Sequence, residues 1–123
     1  MHGRRRAFVH TAQLALQGDE RAVGAAVTVE VCGHWEHPPP CRVPHRTDVL
    51  AGPDAVAVRV LFACEPAHEG EVRSGIERAL HAGELTVPAP DDGPGTRWQV
   101  LSSAAGELEA GDQPVAARLA AGG

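Results

Sequence analysis

The chain contains no lysine and no tyrosine, and it has only two phenylalanines and two tryptophans. The eleven basic residues are therefore all arginine, which excludes Schiff-base chemistry and other lysine-dependent mechanisms. Together with the abundance of Ala, Gly, Pro and Val, the missing lysine indicates the GC-rich coding bias of a bacterial gene. A core with so little aromatic area must be built from Ala, Val and Leu. A metal site or an oligomer interface would therefore help to stabilise a fold of 123 residues.

Net positive charge and long apolar runs are also lacking. The formal net charge is -5 and the isoelectric point is about 5.7, so an acidic chain with few aromatic rings is not expected to bind nucleic acid. No stretch approaches the roughly 20 apolar residues of a membrane span, and the N-terminus is a poor signal peptide. We expect a cytoplasmic protein with no membrane association. In that compartment its three cysteines serve as thiols or metal ligands rather than as disulfides.

Most of the chain follows simple hydrophobic patterns. Alternation of apolar and polar residues predicts strands over 5–16, 22–32, 55–64 and 97–103, the first two forming a β-hairpin. The stripe of Val72, Ile76 and Leu80 predicts a helix over 66–82. That helix begins at Pro66, a residue suited to a first helical turn.

Two shorter elements complete the expected fold. The segment 114–120 predicts a brief C-terminal helix, and 106–112 is a turn-rich return that could hold an edge strand. We therefore predict a single α+β domain over residues 1–123. It would contain an antiparallel sheet of four to five strands with one main helix packed on one face.

A long loop at 32–54 interrupts this regular pattern. Its first part, residues 32–45, reads CGHWEHPPPCRVPH and holds two of the three cysteines and three of the seven histidines. Loops of this length in compact domains are uncommon and are usually functional or disordered.

The spacing of these residues predicts a metal site. The five candidate ligands are Cys32, His34, His37, Cys41 and His45. Zinc takes Cys and His in tetrahedral sets of four at short spacings, and copper and nickel also accept imidazole and thiolate. The three prolines at 38–40 cannot extend a helix and would act as a stiff spacer between pairs of ligands. Zinc is therefore the expected cofactor.

Five ligands are one more than a closed zinc site needs. The preferred set is His34, His37, Cys41 and His45, with Cys32 as the competitor, since Cys32 and His34 would share one face of a continuing strand. The opposing interpretation is a proline-stiffened loop whose histidines are solvated.

Three functions follow from these interpretations. In the first, the metal orders the loop as a recognition surface for a protein partner or a small molecule. In the second, an open coordination position activates water for a hydrolase or lyase reaction, with Glu36 as acid or base. In the third, the chain is a metal-free accessory protein that takes part in assembly, including assembly as a homo-oligomer.

Two further residues belong to the core in this interpretation. Cys64 alternates with the apolar residues of its strand and is expected to be buried at the rim opposite the loop. Only a parallel arrangement of the strands at 22–32 and 55–64 would bring Cys64 and His68 into the site. His10 lies on an apolar face and is expected to be a core histidine with satisfied hydrogen bonds.

Overall fold

The computed structural model describes residues 5–18, 21–32, 43–83 and 97–121. Four strands and three helices lie in these ranges. In chain order they are β1 (Arg6–Gln17), α1 (Arg21–Cys32), β2 (His45–Ala51), β3 (Val56–Cys64), α2 (Glu69–Ala82), β4 (Arg97–Gly106) and α3 (Gln113–Ala120). Short 3-10 turns precede α2 at Pro66–His68 and α3 at Ala110–Asp112.

The four strands form one antiparallel sheet in the order β2-β3-β1-β4. The first six elements follow the order β-α-β-β-α-β, and with this strand order they form the split βαβ arrangement of ferredoxin-like folds. β1 and β2 run in the same direction with β3 between them, so α1 must carry the chain back along the sheet. The α+β class predicted from the sequence is confirmed.

α1 and α2 pack on one face of the sheet, which we call the helix face. Val23 and Val27 of α1 and Ile76 and Leu80 of α2 are buried there against inward-facing side chains of the strands, including Phe62. In α1 the two valines are four residues apart, which places both on one side of a helix. The main core therefore lies between the sheet and two helices, where the sequence predicts one.

α2 confirms the helix predicted over 66–82. Pro66 opens the preceding 3-10 turn, and Gly83 ends the helix in the left-handed conformation with φ of 73°. A Cβ atom on Gly83 would lie 2.9 Å from the carbonyl oxygen of Trp98, so both conformation and space favour glycine. The Trp98 indole N–H donates to the carbonyl of Leu80 at 2.7 Å, which ties β4 to the end of the helix.

α3 packs on the opposite face of the sheet. Leu119 contacts a small cluster there that includes Val9 and Leu61. Arg59 of β3 donates two hydrogen bonds to the Asp112 carboxylate, at 2.9 and 2.8 Å, just before the helix begins. The Arg59 guanidinium, followed by the backbone N–H of Glu109, lowers the pKa of Asp112 to about 2. A charged, two-point contact therefore fixes α3 to the sheet.

Two predictions of local structure are wrong. Residues 22–32 lie in helix α1 and not in a strand, so the β-hairpin is absent. The loop expected at 32–54 contains strand β2 at His45–Ala51, while residues 33–42 lie outside the described residues. The turn-rich return expected at 106–112 holds a 3-10 turn at Ala110–Asp112, and the alternative of a short edge strand does not occur there.

No helix within the described ranges is long and apolar enough to cross a membrane.

Candidate functional site

The topology brings the ends of three strands and one helix together at one rim of the sheet. β1 begins at Arg6, which pairs with Cys64 at the end of β3. α1 returns along the helix face, so its last residue, Cys32, lies at the level where β1 begins. β2 also starts here, because the Ala63 N–H donates to the Pro44 carbonyl at 2.9 Å. The end of α1, the start of β2 and the end of β3 therefore meet near the start of α2.

A cavity of about 410 Å³ opens at this rim. Val31, Val43, Cys64 and Val72 supply its apolar surface. Its remaining lining residues are Gly75 and six polar or charged residues, namely Arg5, Glu30, Glu65, His68, Glu71 and Arg78. A volume in this range suits a small molecule or a few side chains of a peptide.

The charged wall of the cavity has one ordered ion pair. Arg78 of α2 donates through Nε to Oε1 of Glu30 on α1 at 2.7 Å, which links the two helices at the cavity's edge. Arg78 is well exposed, so this pair contributes little to stability and can reorganise around a ligand. The rim thus combines both signs of charge with an apolar floor.

Cys64 lies at this rim, and the expectation that it lies at the rim opposite Cys32 is wrong. That expectation treated 22–32 as a strand antiparallel to 55–64, whereas a helix returning along β1 brings Cys32 to the same rim. Cys64 is buried, and burial, with a smaller contribution from Glu69, raises the pKa of its thiol. His68 lines the same cavity and is exposed. Sequence reasoning set both residues aside because it misassigned α1.

The signal for α1 was present in the sequence. Val23, Val27 and Val31 recur every four residues, which is the spacing of one helical face. The alternation of Val27, Val29 and Val31 gives an equally good strand pattern, and the β-branched residues favour that choice.

Of the predicted ligands, only His45 has a described side chain. Cys32 is the last residue of α1, and His34, Glu36, His37 and Cys41 lie outside the described residues. Within the described ranges, no group of three or more His, Cys, Asp or Glu side chains is arranged to hold a metal ion.

His45 is held through both ring nitrogens. Nδ1 donates to the Val43 carbonyl at 2.9 Å, and Nε2 lies 2.9 Å from the hydroxyl oxygen of Thr28. The same hydroxyl lies 3.0 Å from the Gly24 carbonyl. A backbone carbonyl on Nδ1 is common for histidines that bind metals through Nε2. Here, however, Nε2 would have to leave Thr28 first, so in this conformation the ring joins β2 to α1.

A second polar cluster lies on the helix face, around His10. Arg73 Nη1 lies 3.1 Å from Nδ1 of His10, and Nε2 of His10 lies 2.5 Å from Oε1 of Glu77. Because a guanidinium only donates, Nδ1 accepts and Nε2 carries the proton given to Glu77. Ser103 donates its hydroxyl proton to the same carboxylate oxygen. His10 is buried and has its hydrogen bonds satisfied, as the sequence predicts.

This cluster contains Ser, His and Glu but does not form a nucleophilic triad. A triad needs a histidine nitrogen with a lone pair facing the serine hydroxyl, whereas the accepting nitrogen of His10 faces Arg73. Burial alone would raise the pKa of Glu77, but hydrogen bonds from Ser103 and His10 outweigh it and the pKa is lowered. Glu77 is therefore a carboxylate that ties α2 to β1 and β4, and the rim is the stronger candidate site.

Comparisons of the sequence with protein-family models and with curated proteins, and of the structure with solved structures, find no match.

Proposed function

We propose that this chain is a small zinc-binding protein. One zinc ion is held by Cys32, His34, His37 and Cys41, and the metal-bearing segment forms a recognition surface beside the rim cavity. The bound partner is a small molecule or a segment of another protein.

The observation that carries this proposal is the position of the residues that flank the segment. Val31 and Val43 line the same cavity, so the described residues on either side of 33–42 lie together at one rim. Ligands of one zinc ion must all come within about 2.0–2.3 Å of it, which requires a segment that turns back on itself. Ends anchored close together favour such a turn, because less chain entropy is lost on closing the loop.

The hydrogen bonds of His45 support a particular set of four ligands. Its Nε2 is engaged by Thr28, and its Nδ1 by Val43. Leaving His45 in this structural role removes the surplus ligand and gives two thiolates and two imidazoles, a set typical of structural zinc. This set replaces His45 of the preferred sequence-based choice with Cys32, so that the thiolates of Cys32 and Cys41 together balance the charge of Zn²⁺.

The test is the metal content of protein purified without a histidine tag, measured by inductively coupled plasma mass spectrometry. We expect about one zinc per chain, as for a closed four-ligand site. Cys32→Ala and Cys41→Ala should lose the metal, whereas Cys64→Ala is a matched control that keeps it. His45→Asn should keep the zinc and lower the melting temperature, because the ring's contacts with Thr28 and Val43 are lost.

Several results would reject this proposal. Wild-type protein without stoichiometric metal would remove the zinc site. Copper or nickel in stoichiometric amount would show that the site binds a metal other than zinc. Retention of zinc in Cys41→Ala would exclude Cys41 as a ligand and with it the proposed set. Equal loss of zinc in Cys64→Ala would indicate that the metal binds at the cavity, where Cys64 lies.

A further inference from the structure

The two edges of the sheet differ in a way that bears on assembly. β4 carries an irregularity where its pairing with β1 shifts at Gln13 and Leu14, which leaves Leu101 without a partner in the register. Such bulges interrupt edge-to-edge pairing. β2 pairs with β3 along all seven of its residues without a shift. No described strand pairs with its outer side. β2 is therefore the edge suited to adding another strand.

The side chains of β2 select one register for pairing with a second copy. Arg46 and Asp48 lie on the face opposite α1 and α2, and their side chains are 52% and 41% exposed. In an antiparallel pair centred on Thr47, Arg46 lies opposite Asp48 of the partner subunit, and the twofold symmetry repeats this contact. Centring the pair on Arg46 or on Asp48 instead sets like charges opposite each other, which is unfavourable.

Thr47 supplies an independent observation for the same register. Its Oγ1 is buried and is the one buried side-chain N or O atom without a hydrogen-bond partner within the described ranges. A buried hydroxyl without a partner is costly. In the pair centred on Thr47, this residue lies opposite Thr47 of the partner subunit, with Cβ atoms about 5 Å apart. Rotation about χ1 then lets the two hydroxyls form a hydrogen bond, as threonines do across neighbouring strands.

We propose that the chain forms a twofold homodimer in which β2 pairs antiparallel with β2 of the partner subunit, centred on Thr47. The two sheets join into one of eight strands. Leu50, which is 70% exposed, lies on the same face as the two charge pairs and adds apolar surface to the contact. This proposal is independent of zinc binding, since none of the proposed zinc ligands lies in β2.

A charge-swap series measured by sedimentation velocity over a range of concentrations tests the dimer. Wild-type protein should be a dimer that dissociates on dilution and weakens with added salt. Arg46→Asp or Asp48→Arg alone sets like charges opposite each other twice, and each should weaken the dimer roughly tenfold or more. The double variant Arg46→Asp/Asp48→Arg restores opposite charges and should return the dissociation constant to within a few-fold of wild type.

Two controls complete the series. Leu101→Ser changes the bulged edge and should leave the dimer unchanged. Circular dichroism should show each variant folded, because the Arg46–Asp48 pair within one chain is exposed and contributes little. A wild-type monomer at all concentrations overturns the proposal. So does a dimer that the single swaps do not weaken, or one that the double swap fails to restore.

Discussion

The packing of α1 over β2 can be tested at Gly24, near the start of the helix. A Cβ atom built on Gly24 would lie 3.6 Å from Cβ of Thr47 and 3.9 Å from its Cγ2, which are ordinary contact distances. Gly24→Ala should therefore stabilise the protein, because alanine is favoured over glycine in a helix by about 0.8–1.0 kcal/mol. Partial burial of the added methyl group contributes a few tenths of a kcal/mol more. The sum is about 1 kcal/mol.

The assay is thermal unfolding followed by circular dichroism, with chemical denaturation to obtain the free energy of unfolding. For a domain of this size, about 1 kcal/mol corresponds to a rise in melting temperature of roughly 4 °C. Gly75→Ala in α2 is a matched variant with the same expected sign, since its nearest contact would be Glu30 Cγ at 3.5 Å. Gly106→Ala should instead destabilise by roughly 1–3 kcal/mol, because its Cβ would lie 2.7 Å from Cγ2 of Thr11.

A fall in stability for Gly24→Ala, with the expected rise for Gly75→Ala, would refute this reasoning. It would mean that α1 does not cross β2 at the described distance. The convergence of the end of α1 and the start of β2 at one rim would then lose its basis.

Three further predictions concern the polar contacts of the fold. Because the pKa of Asp112 is lowered to about 2, its contribution to stability is complete above about pH 4 and is lost as the pH falls through 2. Hydrogen exchange should therefore show α3 losing protection in acid, and Asp112→Asn, which cannot ionise, should show reduced protection already at neutral pH. The pKa of Glu77 is also lowered, so its carboxylate stabilises the fold at neutral pH and less so in acid. Glu77→Gln should therefore lower the melting temperature at neutral pH and make the melting temperature fall less as the pH is lowered. An unchanged fall of the melting temperature in acid would contradict this role. Trp98→Phe removes the hydrogen bond to the Leu80 carbonyl and should cost about 1–3 kcal/mol in chemical denaturation; a loss below a few tenths would show that this contact contributes little.

The sequence predicts the elements that have a single consistent pattern. The helix stripe of Val72, Ile76 and Leu80 fits one structure, as does the alternation of 55–64. The helix and the strand are both confirmed, the strand at Val56–Cys64. α1 fits two patterns, since its valines recur at both two and four residues. Only packing decides between them. As a helix, α1 buries Val23 and Val27 together against the sheet and in one core with the buried residues of α2.

β2 was missed for a different reason. Its sequence, HRTDVLA, is mostly polar, and of its inward side chains only Val49 is large and apolar. It is an edge strand whose place is set by pairing with β3, a long-range contact that local alternation does not report. The candidate ligands could be named from the sequence. The meeting of Val31 and Val43 at the rim could not, because it depends on α1 and β2, and the sequence misassigned both. That part of the site required the fold.

The most direct test of the zinc site is X-ray absorption at the zinc edge of the tag-free protein. The proposed ligands predict a first shell of two sulfurs at about 2.3 Å and two nitrogens at about 2.0–2.1 Å. One sulfur with three nitrogens would instead place His45 on the metal in place of Cys32. A shell without sulfur, or no bound zinc at all, would contradict the proposed site.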